Sequence, residues 1–126
     1  MQIVINIEDE TPLFTQLMEQ IKKAVGQDQL QPGNPLPSIR QLANDLDINN
    51  KTVAKAYRLL ERDSIIQAKG YRGSFVHPDA KANCDIDLNG VIKSKMDSTI
   101  KTLRELGATD SEIRIAFTQM MNHKIQ

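Results

Sequence analysis

Between Leu36 and Val76 the chain carries two short helical stripes separated by a turn of three residues, followed at once by a hairpin pattern with glycines at its tip. Ser38 can cap the first helix, and Gln41 three positions on completes a capping box. Ile39, Leu42, Ala43 and Leu46 supply its apolar stripe. Asp47-Ile48-Asn49 is the turn, and Asn49 is a good N-cap for a second helix whose inward face is Val53, Ala56, Tyr57 and Leu60. That helix ends around Arg62 to Ser64. Ile65–Lys69 reads as a strand, Gly70-Tyr71-Arg72-Gly73 as a turn, and Ser74–His77 as the returning strand, which Pro78 ends. This order is that of a winged helix-turn-helix.

The flanking sequence fits around it. QIVINI (2–7) is β-rich and partly alternating, and suggests a short strand or an extended arm. Thr11-Pro12 reads as N-cap and first helical position of a helix of about four turns. Its face is Leu13, Leu17, Ile21 and Val25, with Phe14 and Met18 beside them. LQPGNPLP (30–37) holds three prolines and a glycine, so it is an ordered turn. PDAKANCD (78–85) is polar and reads as a linker. Beyond it, Ile92, Met96, Ile100, Leu103 and Leu106 recur at helical spacing, with Gly107 as a C-cap. Thr109 with Glu112 forms another capping box before Ile113, Ala116, Phe117, Met120 and Met121. The expected architecture is therefore mainly α with a small β-hairpin. A winged domain (1–77) and a linker (78–85) precede an αα-hairpin (86–126). About forty residues rarely fold alone, so the hairpin must cover its stripes with the first domain, with a second copy, or with both.

Composition excludes several alternatives. With 126 residues and 40% apolar side chains a core is within reach, but aromatics are only 4%, so Leu, Ile, Val, Ala and Met must fill it. No apolar run is long enough for a membrane span, and MQIVINIEDE lacks the pattern of a signal peptide, so a cytoplasmic location is expected. The single Cys84 leaves no disulfide within the chain, and its only basic neighbour in sequence is Lys81. His77 and His123 lie far apart with no recurring ligand spacing. No Ser-His-Asp arrangement and no phosphate-cradling glycine motif occurs. An enzyme, a metal and a cofactor are therefore not expected.

The formal charge is zero, which on its face argues against nucleic acid. Its distribution argues the other way. Residues 1–47 hold three basic and seven acidic side chains, and residues 78–126 hold seven of each. Residues 48–77 hold six basic ones (Lys51, Lys55, Arg58, Arg62, Lys69, Arg72) against Glu61 and Asp63. DNA responds to the local patch rather than the total.

In a helix-turn-helix the N-terminal part of the second helix faces base edges in the major groove. With Val53, Ala56 and Tyr57 turned inward, Asn50, Lys51, Ala54, Lys55 and Arg58 face out. Asn50 and Lys51 are expected to read bases. Thr52 is placed to bond a phosphate near the helix N-terminus, where free N–H groups favour an anion. Ser38 can touch phosphate as well as cap. Arg72 can enter the minor groove, with Gly73 allowing close approach. The plain alternative is that Lys51, Lys55 and Arg58 are a solvated face. Arg62 and Lys69 are read as solvated or loosely phosphate-facing, Tyr57 as core, and Tyr71 is left open.

Leu36-Pro37-Ser38-Ile39-Arg40-Gln41-Leu42-Ala43, Asn49 through Tyr57, Leu60-Glu61, Gly73 through Val76, and upstream Pro12-Leu13-Phe14 and Gln16, together resemble the GntR family of transcriptional regulators. The likeness spans about residues 8–77, and the short two-helix tail resembles the YtrA subfamily. The resemblance implies a homodimer that binds double-stranded DNA at a two-fold operator and usually represses. It also makes Arg40 a DNA contact. The recognition helix would be about 49–62 and the wing about 65–77. Two departures stand out. Asn49-Asn50 replaces the frequent Ser-Arg, and Asn is suited to adenine rather than guanine. The first wing glycine also stands one position early.

The DNA-contact set expected from the two readings together is Ser38, Arg40, Asn49, Asn50, Lys51, Thr52, Lys55, Arg58, Tyr71, Arg72 and Gly73. The dimerisation set is Ile92, Met96, Ile100, Leu103, Ile113, Phe117 and Met120. A small-molecule effector between the last two helices is an alternative use of those stripes. A winged module that binds protein instead of DNA is a third reading.

Overall fold

The tight turn and its two helices form as their local sequence dictates. In the computed structural model, which describes residues 2–123, α2 spans Ile39–Leu46 and α3 spans Asn50–Arg62. Asn49 Oδ1 accepts the Lys51 N–H at 2.8 Å, and Ser38 Oγ accepts the Gln41 N–H at 3.1 Å. The Gln41 side chain makes no return bond, so the expected capping box is half made. Asp47 closes α2 in the left-handed region at φ 54°. Ile39 is exposed rather than part of the buried stripe, while Leu42 and Ala43 are buried.

α1 spans Leu13–Gly26 and begins one residue later than expected. Pro12 has an extended ψ of 146° and takes the capping position, and Thr11 makes no cap bond. Leu17, Met18, Ile21, Ala24 and Val25 of α1 share one core with Val53, Ala56, Tyr57 and Leu60 of α3, Ile65, Ile66 and Val76 of the hairpin, and Leu30 and Leu36. The wing is an antiparallel pair, β1 (Ile66–Ala68) with β2 (Ser74–Val76), in the register Ile66 with Val76 and Ala68 with Ser74. The proline-rich turn extends this sheet. The Gly33 N–H donates to the Val76 carbonyl, Val76 N–H to the Asn34 carbonyl, and Leu36 N–H to the Ser74 carbonyl, each at 2.9 Å. Pro35, which has no N–H, sits opposite Phe75 where the ladder skips a bond.

The N-terminal segment is an extended arm without a strand partner. Glutamine side chains replace one. Gln20 accepts the Val4 N–H at 2.8 Å and donates to the Val4 carbonyl at 2.6 Å. Gln16 does the same for Asn6, at 2.9 Å in each direction. Two residues of extended chain rise about 6.7 Å and four residues of helix about 6.0 Å, so amides at i and i+4 of α1 meet alternate residues of the arm. Ile3 and Ile5 then turn toward the core, and Val4 and Ile7 remain exposed.

Residues 78–85, expected as a linker, are folded onto the first unit. Ala80–Asn83 form a one-turn helix, α4, with Ala80 fully buried. Asn83 Nδ2 donates to the Ser64 carbonyl at 2.9 Å, and Lys81 pairs with Asp28 at 3.0 Å. A polar sequence disguised an ordered segment because each of these partners lies far away along the chain. The chain divides into two units between Ile86 and Asp87.

The second unit is an αα-hairpin of α5 (Leu88–Glu105) and α6 (Asp110–Asn122). Gly107, at φ 100°, ends α5 in a Schellman motif, its N–H bonded to the Arg104 carbonyl and that of Ala108 to the Leu103 carbonyl, both at 3.0 Å. The Thr109–Glu112 capping box is complete. No residue of α5 or α6 is buried. Among the described residues no helix is long and apolar enough to cross a membrane.

One polar group ties the helix-turn-helix to its approach loop. The Tyr57 hydroxyl donates to the Pro37 carbonyl at 2.7 Å, and burial pushes its pKa up to about 12. Tyr57→Phe should cost roughly 1–2 kcal/mol at neutral pH by leaving that carbonyl without its donor. Because the folded pKa is raised, the Tyr57 contribution is complete below pH 10 and is lost as pH rises toward 12. Urea unfolding of the two proteins should therefore show a gap that narrows across that window; a gap independent of pH would contradict this.

Candidate nucleic-acid interface

α3 has one face committed to the core and the opposite face free. Lys51, Lys55, Arg58 and Arg62 follow one another at spacings of four, three and four, which places them in a single stripe opposite Val53, Ala56 and Leu60. All four are exposed. They differ in what they touch. Arg62 is held by Asp63, with Nε–Oδ1 at 2.8 Å and a second bond at 3.2 Å. Arg62 is solvated, as expected, but its guanidinium is engaged by Asp63. Among the described residues no carboxylate lies within salt-bridge distance of Lys51, Lys55 or Arg58. The unpaired charge is thus concentrated in the first nine residues of α3, about two and a half turns. Asn49 and Asn50 are exposed beside it, while Thr52 and Ala54 are half-buried.

Lys55 is exposed without being free. Its ammonium lies 4.0 Å from the centroid of the Phe14 ring, in the first turn of α1. Eight residues further along both helices, Lys22 Nζ lies 3.6 Å from Asp63 Oδ2. The partners are forty-one positions apart in both pairs, so α1 and α3 run parallel, with their N-termini at the same end. Burial alone would raise the Asp63 carboxyl, but the hydrogen bond and charge of Arg62, with Lys22 adding to them, hold it below the usual range.

The other expected contacts fall on two neighbouring elements. Ser38 and Arg40 are exposed at the start of α2, and Arg40 has no acidic partner among the described residues. In the wing, residues 70–72 form a turn of 3₁₀ helix closed by Arg72 N–H to the Lys69 carbonyl and Gly73 N–H to the Gly70 carbonyl. Gly73 has φ 100° and ψ −157°, a backbone closed to other residues. Tyr71 is 96% exposed at the tip, and Arg72 is exposed beside it. Lys69 is exposed, with its ammonium 5.0 Å from the centroid of the Phe75 ring.

The apolar residues of the second unit divide into two groups. Ile100, Leu103 and Ile113 are half-buried, whereas Ile92, Met96, Phe117 and Met120 are exposed, Met120 at 76%. Ile100 and Ile113 border a notch of about 110 Å³ with Arg104, Asp110 and Arg114. A second, open depression of about 330 Å³ lies beside it, lined by Asp97, Ile100, Lys101, Arg104 and Glu105, so volume does not separate the effector reading from the others. Cys84, in the first unit, is half-buried with Sγ 3.7 Å from the Lys22 carbonyl, and burial pushes its thiol up. Among the described residues no cluster of His, Cys, Asp and Glu forms a metal site.

Three comparisons bear on this arrangement. The family described as bacterial regulatory proteins, gntR family, matches residues 13–76. The HTH-type transcriptional repressor YtrA of Bacillus subtilis is 33% identical over 104 residues, covering 82% of this chain and 75% of that protein. Among solved structures, a transcriptional antiterminator from Listeria monocytogenes superposes with a TM-score of 0.64 at 28% identity, over 97% of this chain and 91% of that one. YtrA from Sulfolobus acidocaldarius, a GntR-family transcription factor, does so at 0.59 and 29%, over 79% and 97%.

Asp63 joins the ends of α1 and α3, so its loss should be felt in stability. Asp63→Asn should lower stability at pH 7 by roughly 1.5–3 kcal/mol, the range for charged hydrogen bonds. The folded carboxyl titrates below its usual value of 3.8, so its contribution is present above that pH and is lost as pH falls through the folded value. Acid titration followed by circular dichroism should bring the two proteins together at low pH. Equal stability at pH 7 would contradict this.

Proposed function

Because this chain belongs to the GntR family of bacterial regulatory proteins, in its YtrA-like branch, we propose that it is a homodimeric transcriptional repressor that binds a two-fold symmetric operator. The observation that carries this reading is the stripe of exposed cations without acidic partners on the outer face of α3. Such a helix fits the major groove of DNA, whose phosphates take up the charge while base edges supply the pattern to be read. In this reading Asn50 and Lys51 meet bases. Asn49 and Thr52 lie at the helix N-terminus beside a phosphate, and Lys55 and Arg58 neutralise the backbone. Arg40 and Ser38 approach from α2. Tyr71, Arg72 and Gly73 bring the wing to the minor groove.

What the second unit leaves uncovered supports dimerisation. Two helices with no buried side chain cannot hold themselves together by burial, and a second copy laid on Ile92, Met96, Phe117 and Met120 supplies the missing contact. A two-fold pair then sets two recognition helices at a fixed spacing, of the order of one DNA turn, about 34 Å, or a multiple of it. Repression is proposed on the strength of the Bacillus relative, which is named as a repressor. A cytoplasmic site of action goes with this role.

Binding to a duplex selected by the protein from a random pool tests the reading. Arg40→Ala and Lys51→Ala should each weaken binding at least tenfold, the scale of one lost base contact, with unchanged circular dichroism. If both variants bind like the parent, the docking is wrong. Separately, the parent should sediment as a dimer and Phe117→Glu should shift it toward monomer with the winged unit still folded. A monomeric parent would contradict the role given to the second unit.

A further inference from the structure

Phe14 is only half-buried and sits in the first turn of α1, yet its ring carries a cation from the recognition helix. Lys51 and Arg58, on the same stripe, have no such support. Since α1 and α3 run parallel, the ring lies toward the end of the unit from which α3 would enter the groove. An ammonium resting on a ring face keeps N–H groups for another acceptor. A lysine already fixed in place also has less side-chain freedom to lose when it meets a phosphate.

We propose that Phe14 is a positioning residue for DNA binding: it holds the Lys55 ammonium in place to donate to one phosphate of the backbone. The proposal rests on the DNA-binding reading above and assigns Phe14 a function apart from its packing. Phe14→Leu removes the ring and leaves the charge. Lys55→Met removes the charge and keeps an apolar stem against the ring.

The test measures affinity for a selected duplex against salt concentration, using the full chain. Lys55→Met should weaken binding several-fold and make the salt slope shallower by about one, the loss of one neutralised phosphate. Phe14→Leu should weaken binding about two- to fivefold, from the strength of an exposed cation–π contact, with the slope unchanged. Phe14→Tyr should behave as the parent, and the double variant should be no weaker than Lys55→Met alone. In the free protein the Lys55 Hε resonances should be shifted upfield by the ring, and should lose that shift in Phe14→Leu.

Parent-like binding by Phe14→Leu overturns the proposal, as does a double variant that loses the product of the two single effects. Should Phe14→Leu fail to fold, Lys55→Met and the Hε shifts of the parent and Phe14→Tyr decide. Unchanged binding by Lys55→Met or unshifted Hε resonances overturn the proposal, and the expected values of both uphold it. If the parent selects no duplex at all, the DNA-binding reading falls and this proposal with it. If the parent binds tightly and specifically but ignores these changes, only the role of Phe14 falls.

Discussion

The packing of α3 along α1 is the constraint on which the rest of the molecule depends. Val53, Ala56 and Leu60 are fully buried and Tyr57 nearly so, so this face of α3 has no rotational freedom. Fixing that face fixes its opposite, and the cations at 51, 55 and 58 must stand outward. The same contact orients the neighbouring elements. The Tyr57 hydroxyl reaches back to the Pro37 carbonyl just ahead of α2, and Asp63 gathers Lys22 of α1 and Arg62 of α3 at the far end. A cationic stripe on a helix is a functional surface only if the helix cannot roll, and burial on the order of a whole side chain per turn prevents that.

How much of this was legible in the sequence depended on the range of the interaction. The turn, the Asn49 cap and the buried face of α3 are written within a few residues of one another, and they form as read. The Thr109 capping box and the Gly107 stop are equally local. Expectations were least complete where a distant partner decides the outcome. Residues 2–7, read as a short strand or an extended arm, form the arm, and its neighbour is a pair of glutamine side chains on α1. Glutamines at i and i+4 beneath a β-rich arm are a signal that could have been read. Residues 78–85 looked like a linker because their contacts, to Asp28, Ser64 and Lys22, lie far back in the chain. The ring of Phe14 under Lys55 left no local trace either. At the start of α1 the preference of proline for a first helical position lost to an extended ψ, and Thr11 capped nothing.

The two units place opposite demands on their apolar residues. The winged unit buries most of its apolar stripes within one chain, leaving Val4, Ile7 and Tyr71 among its exposed side chains. The αα-hairpin is capped at its turn, but it leaves Ile92, Phe117 and Met120 in solvent. Local rules made its helices legible, whereas what covers its stripe is not written in the local sequence. In the account proposed here that cover is another copy of the chain, so recognition depends on residues that touch no base.

The most direct test of the central claim is an amide chemical-shift map of the protein titrated with its selected duplex. The account predicts that the large shifts fall on Ser38 to Arg40, on Asn49 to Lys55 and on the wing tip at Tyr71 to Gly73, with α5 and α6 little changed. Shifts confined to α5 and α6, with α3 silent, would contradict it.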